Sequence, residues 1–156
     1  MFANRKAVLH VDDDPLITRL VAEYLHHAGF ESEAVHDPLM AIAAMVRGQY
    51  RIVLLDIHMP HRSGLQLLSE ITSLDAGVQV IMLTGLVNET TVIEAMRQGA
   101  EACLFKPLTD PAPLIREVED AYEFNNRWWG ALRDLTQRRR VENTYTAASP
   151  AQLIEA

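Results

Sequence analysis

Apolar positions along the chain fall into two alternating patterns. Short β-favouring segments occur at Ala7–Val11, Glu33–Val35, Ile52–Leu55, Val78–Leu83 and Ala102–Phe105. Each is followed by a stretch with helical periodicity. The first such stretch runs from about Leu16 to Ala28, with Leu16, Ile17, Leu20, Val21, Tyr24 and Leu25 on one side and Gly29 as its stop. The second opens on Asp37-Pro38, a capping side chain followed by proline at the first helical position, and ends at Gly48. The third begins near Gly64 and carries Leu65, Leu67, Leu68 and Ile71. The fourth runs from about Glu89 to Gln98 and stops at Gly99, and the fifth opens on Asp110-Pro111.

Strand and helix alternating at this spacing predict an α/β fold, a doubly wound five-stranded parallel sheet with right-handed crossovers and helices on both faces. The near-continuous apolar runs Ile52–Leu55 and Val80–Leu83 suit central strands buried on both sides. Such sheets bind ligands beyond the carboxyl ends of their strands. The residues there are Asp12, Asp13 and Asp14 after the first strand, Asp56 after the third, Thr84 after the fourth and Lys106 after the fifth.

Length and composition narrow the class. A chain of 156 residues, 49% hydrophobic and 22% charged, is one folded domain plus a remainder. No apolar run approaches the ~20 residues of a spanning helix, and Met-Phe-Ala-Asn-Arg-Lys lacks the apolar core of a signal peptide; the expected location is cytoplasmic, without membrane contact. One cysteine, Cys103, excludes an intrachain disulfide and a clustered cysteine zinc site. Net charge is −7, divided as 9 Lys+Arg against 18 Asp+Glu in residues 1–123 and 5 against 3 in residues 124–156. An acidic body argues against direct nucleic-acid binding, and Arg138-Arg139-Arg140 is too short to reverse that. Only two lysines occur, Lys6 and Lys106, so a lysine at a strand end stands out.

Aspartates gathered from two strand ends crowd anions. A like pair at ~4 Å costs about 1 kcal/mol in water and about 4 at an effective dielectric of 20. Crowding of this kind raises a carboxylate pKa or recruits a cation, and an open, oxygen-only site suits Mg²⁺ better than Ca²⁺. A carboxylate beside such an ion can attack a phosphoryl group and form an acyl phosphate. Lys106 and Thr84 then offer the positive charge and the donor that the transferring oxygens need.

These motifs together resemble the receiver domain of two-component response regulators. The family pattern is an acidic pair after strand one, a phosphoacceptor Asp after strand three, Thr or Ser after strand four and Lys-Pro after strand five. Here they read Val8-Leu9-His10-Val11-Asp12-Asp13-Asp14, Leu54-Leu55-Asp56-Ile57-His58-Met59-Pro60, Met82-Leu83-Thr84-Gly85 and Leu104-Phe105-Lys106-Pro107, with Gly64 and Gly99-Ala100 also matching. The resemblance implies a flavodoxin-like strand order 2-1-3-4-5 and a receiver over residues 5–124. It implies that Asp56 is phosphorylated by a histidine kinase or phosphotransfer protein. Asp13, Asp56 and the His58 backbone carbonyl would bind Mg²⁺ directly, with Asp12 acting largely through water. Lys106 would pair with the phosphoryl group, Thr84 would move to bond it, and Lys106-Pro107 would be cis. Such a protein is a signalling phosphoacceptor, not an enzyme that turns over a substrate. The family usually places an aromatic residue three positions before the lysine, where this chain has Cys103. His58 and Leu86 occupy positions at which the family varies its dephosphorylation rate.

Other readings compete at each point. Asp12–Asp14 taken alone is a solvated loop with a helix cap, and Cys103 a small buried hydrophobe. His58 and His61 offer a transition-metal site only across Pro60, which breaks any helical register between them. His26-His27 lies on a helix with successive side chains ~100° apart and reads as surface. An aspartyl-phosphate hydrolase would share the nucleophile but typically carries a second Asp where His58 stands. A phosphorylation-independent scaffold would retain the site residues without using them. Residues 125–156 form a second segment. Val118, Ala121, Asn125, Trp128, Leu132 and Leu135 follow three- and four-residue steps, which predicts that the fifth helix runs on to about Arg140 as a short coiled-coil-like stripe. Thr144–Pro150 reads as a linker. The extension either joins two copies into a homodimer, alone or with the face of the fourth helix and fifth strand, or folds back on its own receiver.

Overall fold

The computed structural model describes residues 4–85 and 88–147. Five strands, β1 (Ala7–Val11), β2 (Glu31–Val35), β3 (Ile52–Asp56), β4 (Gln79–Thr84) and β5 (Ala102–Phe105), form a parallel sheet in the order β2-β1-β3-β4-β5. The helices are α1 (Pro15–His27), α2 (Ala41–Gly48), α3 (Gly64–Leu74), α4 (Glu89–Arg97) and α5 (Ala112–Ala147). The expected fold class and strand order are both present.

Strand alternation divides the core into two layers. Leu9, Val11, Val53, Leu55, Val80 and Met82 face one side, where they pack with Ala44, Leu67, Leu68, Ile71 and Ala95 of α2, α3 and α4. Val8, Ile52, Leu54, Ile81 and Leu83 face the other, against Val21, Leu25, Leu114, Val118 and Ala121 of α1 and α5. β1, β3 and β4 are buried along their whole length, whereas β2, at the edge, is largely open. Register brings Val11 beside Leu55, Asp56 beside Leu83 and Thr84 beside Phe105, which aligns the strand ends in one row.

Two helices differ from the sequence expectation. The stretch after Asp37-Pro38 is not one helix: Asp37 accepts from the Leu39 amide, a 3₁₀ turn covers Pro38–Met40, and the α-helix proper starts at Ala41. At the other end of the chain, α5 continues past Arg140 to Ala147, so residues 144–147 are helix rather than linker; residues 148–150 lie outside the described residues. Thr144 and Thr146 return their hydroxyls to the Arg140 and Glu142 carbonyls, which satisfies them within the helix.

The long α5 also splits the predicted stripe. Leu114, Val118, Ala121 and Asn125 are buried on the sheet, with the Asn125 amide donating to the Arg51 carbonyl at 3.4 Å. Trp128, Leu132 and Leu135, on the same helical face, are exposed. Trp129 is half-buried, and Arg51 stacks over its ring at 5.5 Å. Every described residue from Ala131 onward is exposed, so the extension does not fold back on the receiver there.

Candidate functional site: an acidic cleft with one lysine

The cleft is built by strand ends and the caps that follow them. After β1, the Asp14 side chain accepts from the Leu16 amide and opens α1. Asp12 is thereby turned inward with 0% exposure, and its Oδ1 accepts the Asp14 amide at 2.9 Å. Asp13, between them, is exposed. The reading of this triplet as only a solvated loop fails, because one of the three is completely enclosed. After β3, Asp56 is buried beside Asp12, and the His58 backbone amide hydrogen-bonds to it. The chain then turns into α3 through a capping box: Ser63 accepts from the Gln66 amide and the Gln66 side chain accepts from the Ser63 amide.

Gly64 makes that turn feasible. Its amide donates to the Ile57 carbonyl at 2.8 Å, and a Cβ at this position would lie 2.0 Å from the Asp56 carbonyl oxygen. No side chain fits there without moving the Asp56 backbone.

Asp12, Asp13 and Asp56 each offer a carboxylate oxygen, and the three oxygens lie within 4.8 Å of one another. Lys106 enters from β5, its Nζ 2.7 Å from Asp12 Oδ2 and 3.6 Å from Asp56 Oδ2. The Lys106 amide donates to the Thr84 carbonyl, and the Lys106–Pro107 peptide is cis. Thr84 is fully buried at the end of β4. Burial raises the Asp56 pKa above the usual carboxylate value, and the Asp12 charge pushes it further; Lys106 and the His58 amide oppose them.

The remaining candidates separate from this cleft. The His58 side chain is exposed, and His61 holds a left-handed backbone at φ 70°. Neither histidine belongs to the carboxylate cluster. His26 and His27 are exposed, with ring centroids 6.2 Å apart and His27 Nδ1 against the Glu23 carbonyl. Cys103 is half-buried against the core layer of α2–α4, where burial pushes its thiol pKa up. Leu86 lies outside the described residues. A cavity of about 560 Å³ lies beside Tyr50, Arg51, Asp75 and Trp129, residues remote from the strand ends that carry the aspartates.

Sequence reasoning gave His10 no role, although it was the one polar residue in the apolar run Ala7–Val11. It is 1% exposed, two residues before Asp12, with Nε2 3.8 Å from Asp12 Oδ2.

The family model for the response regulator receiver domain matches residues 8–119. The chain belongs to this family. Chemotaxis protein CheY of Halobacterium salinarum is 31% identical over 107 residues, a match that covers 69% of this chain and 89% of that one. A transcriptional regulatory protein, the CpxR homolog of Haemophilus influenzae, is 35% identical over 109 residues, 70% of this chain and 47% of the relative. The chain spans about half the length of several curated relatives that it matches. Among solved structures, the CheX-CheY-BeF3-Mg²⁺ complex of Borrelia burgdorferi contains a chain 30% identical with a TM-score of 0.69, covering 74% of this chain and 88% of that one. Receiver domains are signalling modules of two-component systems, not classical enzymes. They carry a phosphoacceptor, bind Mg²⁺ at an acidic pocket and interact with histidine kinases or phosphotransfer proteins. Among the described residues, no helix is long and apolar enough to cross a membrane.

Proposed function

We propose that Asp56 accepts a phosphoryl group from a phosphohistidine on a histidine kinase or phosphotransfer protein. The single observation that carries this reading is the convergence of Asp12, Asp13 and Asp56 with the Lys106 ammonium at the ends of three strands. An Asp56 carboxylate oxygen attacks phosphorus, the phosphorus–nitrogen bond breaks, and the donor imidazole departs carrying a proton. Lys106 pairs with the phosphoryl oxygens and Thr84 hydrogen-bonds one of them. The donor set, oxygen-only and partly open to solvent, fits Mg²⁺. Asp13, Asp56 and the His58 carbonyl would hold the ion, with Asp12 reached through water. When bound, Mg²⁺ would screen the carboxylates and the incoming phosphoryl charge. The Borrelia relative, solved with BeF3 and Mg²⁺, supports the same chemistry here.

The output is a contact between proteins. The acidic body, 9 Lys+Arg against 18 Asp+Glu in residues 1–123, favours a protein partner over nucleic acid. Ile93 and Met96 on α4 and Phe105 on β5 are exposed, and so are Trp128, Leu132 and Leu135, which share one face of α5. An isolated helical extension of this length is marginal in water, and three large apolar residues at steps of four and three match the seam of a helix pair. A second copy of this chain is the partner proposed for that seam, with phosphorylation biasing the equilibrium toward the pair. Phosphotransfer itself is tested by intact mass after incubation with a small phosphodonor and Mg²⁺, for wild type and Asp56→Asn.

A further inference from the structure

His10 is enclosed at the end of β1, and among the described residues neither ring nitrogen has a hydrogen-bond partner. A buried imidazole with two unsatisfied nitrogens is costly. Its nearest charged group is Asp12: Nε2 stands 3.8 Å from Asp12 Oδ2, just beyond hydrogen-bond length. That same oxygen is the one held by Lys106 at 2.7 Å.

The phosphoacceptor reading, on which this inference rests, gives Lys106 a second task. When Lys106 pairs with a phosphoryl group on Asp56, it moves its hydrogen bond away from Asp12. Asp12 Oδ1 keeps the Asp14 amide, but Oδ2 loses its short donor. Asp12 has 0% exposure, so beyond a metal-bound water no solvent donor reaches Oδ2, and a carboxylate oxygen short of donors in that position opposes the handover.

We infer that His10 is a positioning residue that donates Nε2–H to Asp12 Oδ2 when Lys106 transfers to the phosphoryl group. A neutral imidazole is suited to this, since it offers one N–H donor without adding a charge. A neutral N–H satisfies the oxygen without cancelling the Asp12 charge, whereas a second cation would weaken the acidic cluster's hold on a metal ion. Closing the gap from 3.8 Å takes less than 1 Å of movement, a scale on which packed side chains adjust without refolding.

Equilibrium capture of beryllofluoride in the presence of Mg²⁺ tests the role, read by ¹⁹F NMR on wild type, His10→Leu and His10→Gln. The glutamine amide reaches as far as Nε2 and restores the donor; leucine fills the space without one. Leu is expected to weaken capture about tenfold, the value of one hydrogen bond to a charged acceptor. Gln is expected to bind like wild type. Equal capture by all three proteins, or equal loss in both variants, overturns the proposal. If wild type itself captures nothing, the phosphoacceptor reading fails first, a distinct outcome. A second readout does not depend on the leucine variant folding: the wild-type His10 Nε2–H proton resonance should move downfield on capture, and an unmoved resonance overturns the role.

Discussion

Lys106 lies closer to Asp12 than to the proposed phosphoacceptor, 2.7 Å against 3.6 Å. The lysine ties the last strand of the sheet to the first across β3 and β4, so its position depends on both. A cation shared between two buried carboxylates is held by the more favourable of two charge-assisted bonds. Charge that arrives on Asp56 shifts that balance. Removing the cation should therefore separate folding from switching: Lys106→Met is expected to stay folded yet capture beryllofluoride at least tenfold more weakly. Circular dichroism and ¹⁹F titration on one sample check this, and undiminished capture would contradict it.

Gly64 sets the backbone on which Asp56 sits. A Cβ there meets the Asp56 carbonyl oxygen at 2.0 Å, a contact with backbone that no rotamer relieves. Gly64→Ala is expected to cost about 1–3 kcal/mol, the range for overpacking a rigid site, and to lower phosphorylation yield through the displaced turn. Urea unfolding together with intact mass measures both, and an unchanged midpoint would show that the turn yields.

Asp56 should be a source of instability in the metal-free protein. Its folded pKa is raised by burial and by Asp12, so the fold holds the proton more tightly than the unfolded chain does. The stability belonging to the protonated form is full at pH below the unfolded carboxylate value and is lost as pH rises through the folded one. Asp56→Asn, in EDTA, is expected to unfold ~2–4 °C higher than wild type at pH 7, a change of about 1 kcal/mol. The gap should close on acidification. A variant less stable than wild type at pH 7 would contradict the crowding argument.

The α5 seam predicts an assembly that responds to the site. With Mg²⁺ and beryllofluoride, light scattering should show wild type doubling in mass, while Leu132→Glu and Asp56→Asn stay monomeric. Leu132 is exposed, so a glutamate there changes association without touching the core. A mass unaffected by the mimic would leave α5 without a role in switching.

Much of the fold was legible because its carriers are physically simple. Uninterrupted apolar runs mark β3 and β4 since both faces are buried, and the Asp-Pro pairs mark helix entries because their side chains cap. β2 was read two residues short, at Glu33 rather than Glu31, because an edge strand with an exposed face carries polar residues that mask its pattern. The end of α5 was missed for a related reason: a helix exposed on all sides after Gly130 has no buried stripe to delimit it. In the site, charge and position at strand ends pointed to Asp12, Asp56 and Lys106. The split of the Asp12–Asp14 triplet into a buried residue, an exposed residue and a cap needed coordinates, as did the unpartnered ring of His10.

The central claim is that Asp56 is the phosphoacceptor. Incubation with acetyl phosphate and Mg²⁺, followed by intact mass spectrometry, tests it directly. The account predicts a gain of about 80 Da, one phosphoryl group, in wild type, none in Asp56→Asn, and loss of the gain on hydroxylamine treatment, which cleaves acyl phosphates. A wild-type chain that gains no mass, or an Asp56→Asn chain that gains the same mass, would contradict it.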